Sequence, residues 1–122
     1  MMEINACLHT AILVSDLAAA EQFYGQVLGL TKVDRVLKFP GAWYQLGDYQ
    51  IHLILNTNYQ NLLNLPQKWG RDRHLAFAVQ DLAAAKQTLI DHNCPVQISA
   101  SGRSALFTHD PDGNVIELAQ IS

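Results

Sequence analysis

Apolar and polar positions fall into one pattern that the chain writes twice. Residues 8 to 14 form a short apolar run ended by Ser15-Asp16, and then Leu17, Ala20, Phe23 or Tyr24, and Val27 or Leu28 recur at three-to-four spacing. The run predicts a strand and the spacing an amphipathic helix, with Asp16 accepting hydrogen bonds from its first turn and Gly29 supplying the left-handed residue that ends it. Residues 74 to 79 repeat the run, Asp81 repeats the cap, and Leu82, Ala85, Leu89 and Ile90 repeat the stripe up to about Asn93, where Pro95 forbids continuation. Three short strands are expected behind each helix: 31 to 37, 42 to 47 and 50 to 55, then 96 to 99, 104 to 108 and 114 to 119. The expected fold is therefore α+β, two tandem βαβββ modules.

One offset of 65 residues relates the copies without a gap, laying His9 through Ala20 over His74 through Ala85 and Ile51-His52-Leu53 over Ile116-Glu117-Leu118. Half-chains this small bury too little surface to stand alone, so residues 1 to 122 are read as a single domain. Module 1 occupies about 5 to 57 and module 2 about 70 to 122, joined by the Asn-, Gln-, Pro- and Gly-rich linker 56 to 73, with one helical turn expected around Leu62 to Leu65. Asp110-Pro-Asp-Gly-Asn predicts a tight turn with Gly113 at positive φ, aiming the strand that carries Glu117; Gly47-Asp48 lies at the related place before His52.

Composition narrows the partners. Apolar residues make up 49% and charged residues 16% of the chain, less charge than a fully exposed surface usually carries, and this points to a homodimer. The net charge of −3 and the lack of a basic run argue against nucleic acid. The opening MMEINACLHT has no basic n-region and no later stretch is apolar enough to span a bilayer, so neither export nor membrane attachment is expected. Cys7 and Cys94 form no framework, and free thiols suit a cytoplasmic location.

Strand parity collects the chemistry on one side. If Leu8, Thr10, Ile12 and Val14 face the helix, His9 faces away; the same alternation turns His74, His52 and Glu117 away from the helices. Singly, each would be an ordinary packed or solvated residue. Related by one offset, three imidazoles and a carboxylate become a donor set for one divalent metal, with Fe, Zn, Ni and Mn all admissible. The ion would act as a Lewis acid on a small substrate with two adjacent oxygens. His9, His74 and Glu117 are expected as ligands, with His52 a fourth ligand or a proton-transfer group, and Glu117 is the second catalytic candidate. Thr10, Gln50, Asp72 and Asp110 could orient these side chains. His92 is expected at a helix end and His109 in a turn. Trp43, Tyr44, Trp69 and Phe107 could line an aromatic pocket, and Cys7 the cavity mouth. Arg35, Lys38, Arg71, Arg73 and Arg103 are surface charges by default, although Lys38 and Arg103, again 65 residues apart, could clamp a substrate anion.

On the stretches His9 to Asp16, Phe23-Tyr24, Leu28-Gly29-Leu30, Pro40 to Trp43, Leu46-Gly47-Asp48, His74 to Val79 and Asp110 to Glu117, the chain resembles the vicinal-oxygen-chelate superfamily. That superfamily contains glyoxalase I, extradiol dioxygenases, and fosfomycin- and bleomycin-resistance proteins. The resemblance implies metal ligands from the first and last strands of each module. It also implies a homodimer in which module 1 of one chain meets module 2 of its partner, giving two shared sites. His52 stands where glyoxalase I has Glu or Gln, and Leu13 where it has Arg. Phe107 replaces the Tyr that extradiol dioxygenases place ten residues before the Glu, and Ala11 replaces the Thr of fosfomycin-resistance proteins. The resemblance thus implies a metal-dependent lyase, isomerase or ring-cleaving dioxygenase without choosing among them. The alternative is a metal-independent small-molecule binding protein of the bleomycin-resistance type.

Overall fold

The computed structural model describes residues 1–62 and 66–121. The chain divides into two compact units, Met1–Tyr59 and Gln60–Ser122. In the first, β1 (His9–Val14) is followed by α1 (Leu17–Glu21), a wider helical turn over Gln22–Val27, and β2 (Thr31–Lys32), β3 (Gly41–Leu46) and β4 (Tyr49–Leu55). In the second, β5 (His74–Val79) leads through α2 (Leu82–Asp91) to β6 (Gln97–Ile98), β7 (Ala105–His109) and β8 (Val115–Gln120). The sheets run β1-β4-β3-β2 and β5-β8-β7-β6, so both modules have the same βαβββ order. No helix among the described residues is long and apolar enough to cross a membrane.

Both helices begin as the sequence dictates. The Asp16 carboxylate accepts from the Ala19 amide at 3.1 Å and the Asp81 carboxylate from the Ala84 amide at 3.0 Å, each satisfying a donor that has no partner inside the helix. Strand parity holds as well: Thr10, Ile12 and Val14 are more covered than His9, Ala11 and Leu13, and β5 alternates in the same way. The final turn forms with Gly113 at φ 86°, while Asp110 accepts from the amides of Asp112 and Asn114.

Several expectations need correction. The helix after Asp16 does not keep a 3.6-residue period: the Leu28 amide reaches the Phe23 carbonyl, five residues back, at 2.9 Å. The widened turn carries the buried, edge-to-face rings of Phe23 and Tyr24, and Gly25 lies against Tyr44. β2 covers two residues rather than 31 to 37, because beyond Val33 the polar run Asp34-Arg35 leaves the sheet and Arg35 settles over Trp43. The strand expected at 96 to 99 shortens to Gln97–Ile98. Leu8 lies outside β1 and is exposed, and Ile90, expected in the buried stripe, is exposed while Leu89 is buried. The helical turn expected at Leu62 to Leu65 falls on residues 63–65, outside the described residues.

Candidate metal centre

Each unit carries half of the expected donor set, placed by the same register. β1 runs parallel to β4 with Ala11 opposite His52, and β5 runs parallel to β8 with Ala76 opposite Glu117. In each unit the histidine two residues earlier, His9 or His74, sits on the edge strand and the second donor on the central strand beside it. Alanine at the intervening paired position leaves room for the two side chains to approach. The edge histidines are exposed, whereas His52 and Glu117 retain only 7% and 6% of their surface, so both need polar partners.

In the first unit the pair is aromatic. The His9 and His52 rings stack at 4.0 Å, His52 stacks on Trp43 at 3.7 Å, and the Arg35 guanidinium lies 4.1 Å from the Trp43 ring centre. Trp43 reaches His52 because the two are register partners on β3 and β4. His52 Nε2 lies 2.8 Å from Gln50 Oε1; Gln50 Nε2 donates to Gln45 Oε1 at 2.6 Å, and Gln45 Nε2 donates to the Gly47 carbonyl at 2.7 Å. Read from the Gly47 carbonyl, which can only accept, this chain of amides orients Gln50 so that His52 donates from Nε2. The lone pair of His52 is thereby fixed on Nδ1. Burial, then the neighbouring His9 and Arg35, hold the His52 pKa below its ordinary value, so the ring is neutral near pH 7.

In the second unit an imidazole faces a carboxylate. His74 Nδ1 lies 2.8 Å from the Asp72 carbonyl, and His74 Nε2 lies 3.0 Å from Glu117 Oε1. The other carboxylate oxygen, Oε2, accepts from Arg103 at 3.3 Å. A neutral imidazole has one N–H, yet both ring nitrogens face acceptors. Once Nδ1–H is given to the carbonyl, the Nε2 lone pair confronts a carboxylate, and a proton or a metal cation is needed between them. This donor set fits a divalent ion at Nε2 and Glu117. Phe107, opposite Glu117 on β7, meets the His74 ring edge-on at 5.5 Å.

The structure therefore pairs His9 with His52 and His74 with Glu117. Two donors are fewer than a resident divalent ion takes, and among the described residues no group of three or more His, Cys, Asp or Glu side chains is gathered for a metal. Of the proposed orienting residues, Gln50 and the Asp72 backbone take that part, whereas Thr10 bonds the Tyr49 hydroxyl and Asp110 holds its own turn. Tyr44 is buried, with its pKa pushed up to about 12 by burial and then by Glu21. His92 bonds the Thr88 carbonyl at the end of α2, His109 packs on Trp69, and Cys7 is exposed. The Gln45–Gln50 relay went unread in the sequence, although Gln50 itself did not. Glutamines at alternate positions facing a histidine on paired strands are the only signal that could have shown it.

Comparison with known proteins agrees with the fold. The family model of the Glyoxalase/Bleomycin resistance protein/Dioxygenase superfamily matches residues 6–118, and the chain belongs to that superfamily. It is similar to the uncharacterized Escherichia coli (strain K12) protein YaeR, 30% identical over 97% of this chain and 98% of that one. It is also similar to Arabidopsis thaliana "Glyoxylase I 4", 27% identical over 96% and 71% of the two chains. Among solved structures, a glyoxalase/dioxygenase from Nostoc punctiforme superposes with a TM-score of 0.79 at 21% identity, covering 100% and 99% of the chains, and shares the fold.

Proposed function

We propose that this protein is a divalent-metal-dependent enzyme acting on a small substrate with two adjacent oxygens, as a lyase, an isomerase or a ring-cleaving dioxygenase. We place its centre in a homodimer, where His9 and His52 of one chain meet the partner subunit's His74 and Glu117. The observation that carries this reading is the confrontation of the His74 Nε2 lone pair with the Glu117 carboxylate. A cation belongs between them, and each unit alone offers too few donors to complete its shell. Fe, Zn, Ni or Mn bound there would supply Lewis acidity toward the substrate oxygens.

The chain's own residues divide the remaining work. Asp72 fixes the tautomer of His74, and Glu117 contributes the one anionic donor. His52, neutral near pH 7 with its lone pair on Nδ1, either completes the donor set or accepts a proton at Nδ1. Its Nε2–H stays committed to Gln50, and the flat packing of Trp43 keeps water off that face of the ring. The free thiols of Cys7 and Cys94 suit a cytoplasmic setting.

Untagged protein should carry one ion per chain by elemental analysis and sediment as a dimer. A His9→Ala/His52→Ala chain mixed with a His74→Ala/Glu117→Gln chain should regain one ion per mixed dimer. A monomer at micromolar concentration, or mixing without recovery, overturns the shared site. Absence of metal together with ligand binding in the aromatic column would favour the binding-protein reading.

A further inference from the structure

The second unit contains a cavity of about 480 Å³ beside the Glu117 pair. Its charged lining residues are all basic, Lys68, Arg71 and Arg103, and Ser99 and Ser101 add hydroxyl groups. Its walls are tied together: Gln97 Oε1 accepts from the Trp69 amide at 2.9 Å and Gln97 Nε2 donates to the Gln67 carbonyl at 3.1 Å, bracing the Lys68–Arg71 segment against β6. The backbone at Gly70 lies so close to Phe107 that an added Cβ would come within 2.5 Å of the ring, so segment and floor are fitted to each other. Arg103 joins this cavity to the candidate centre, bonding Ser101 Oγ through Nε and Glu117 Oε2 through its terminal nitrogen, both at 3.3 Å.

Three cations sharing one wall repel one another unless an anion joins them. Glu117 offsets Arg103, and among the described residues Lys68 and Arg71 make no ion pair. The cavity is left with an uncompensated charge of about two. We propose that it binds the doubly charged oxyanion head of a small organic molecule, with Arg71 and Lys68 holding the head and Arg103 shared between it and Glu117. This deepens the proposed function by adding an anionic group to the substrate class, and a phosphate monoester or a dicarboxylate would supply the same charge. When Glu117 turns to a metal, Arg103 loses part of its partner and becomes a stronger donor to the anion.

The test is calorimetric titration of metal-free protein with inorganic phosphate and, separately, with malonate, at pH 7.5. Millimolar or tighter binding of at least one is expected, and the preferred probe identifies the head group. Arg71→Gln and Lys68→Gln should each weaken it about tenfold, and Glu117→Gln should tighten it severalfold by releasing Arg103. Amide shifts on titration should centre on Ser99, Ser101 and Arg103. No binding of either probe, or affinities unmoved by Arg71→Gln and Lys68→Gln, would overturn the proposal. Metal affinity, measured in parallel on those two variants, should stay unchanged, so failure of the metal centre and failure of the anion cavity are read separately.

Discussion

The two units share connection order, strand register and helix caps, yet equivalent positions do opposite chemistry. Across from His52 stands Trp43, and across from Glu117 stands Phe107, each the direct register partner on the neighbouring strand. The indole lies flat on an imidazole and helps make a neutral, water-shielded base, while the phenyl ring turns its edge to His74 and leaves room for its contact with the Glu117 carboxylate. A cation attends each pair in a different way: Arg35 caps the aromatic stack, whereas Arg103 bonds the carboxylate. Duplicated backbone geometry thus fixes where a donor sits, while the residue at that position supplies its chemistry and the ring on the neighbouring strand sets its surroundings.

Backbone contact gives the largest difference between the copies. Gly41 opposite Ile54 corresponds to Ala105 opposite Ala119. A Cβ at Gly41 would strike the Leu53 carbonyl, whereas the second unit already accommodates one. Gly41→Ala should therefore cost about 2 to 4 kcal/mol, read as a lower denaturation midpoint, and Ala105→Gly should cost about 1 kcal/mol or less. Equal losses would show that the strand pairs are not equivalent in this way.

The aromatic contrast should appear in pH dependence. Because folding holds the His52 pKa below its unfolded value near 6.5, the unfolded chain takes up a proton that the native chain resists. The stability tied to neutral His52 is thus present above about pH 6.5 and is lost as pH falls below that value toward the depressed native pKa. Melting temperatures between pH 7 and 5.5 should fall more steeply in wild type than in His52→Asn. Trp43→Ala should open the ring to water and move its NMR titration midpoint up toward the ordinary value, at a packing cost of about 3 kcal/mol. Phe107→Ala should leave that midpoint in place.

The smallest effect concerns what the copies have in common. Asp16→Ala and Asp81→Ala should each lose about 1 kcal/mol, and by similar amounts, because both carboxylates bond the amide three residues on.

Most of the fold was legible because alternation, caps and the 65-residue offset are local signals, and His9, His52, His74 and Glu117 followed from parity. Three features were not. The wide turn at Gln22–Val27 buries Phe23 beside Tyr24 and sets Gly25 against Tyr44, a packing compromise that periodicity averages away. The end of β2 depends on Arg35 finding Trp43, eight positions along the chain. The division of the four donors into an aromatic stack and an imidazole–carboxylate pair depends on neighbouring strands, which a single strand does not specify.

The central claim is that Glu117 and His74 are a waiting ligand pair. Its most direct test is the dissociation constant and stoichiometry of one divalent ion on the wild type, Glu117→Gln and His74→Ala, each shown to be folded. Wild type should bind one ion per chain, and each variant should bind more than about a hundredfold more weakly, since even residues that merely orient ligands commonly cost ten- to a hundredfold. If all three proteins bind alike, the acceptors facing His74 hold only a proton and the metal centre proposed here is wrong.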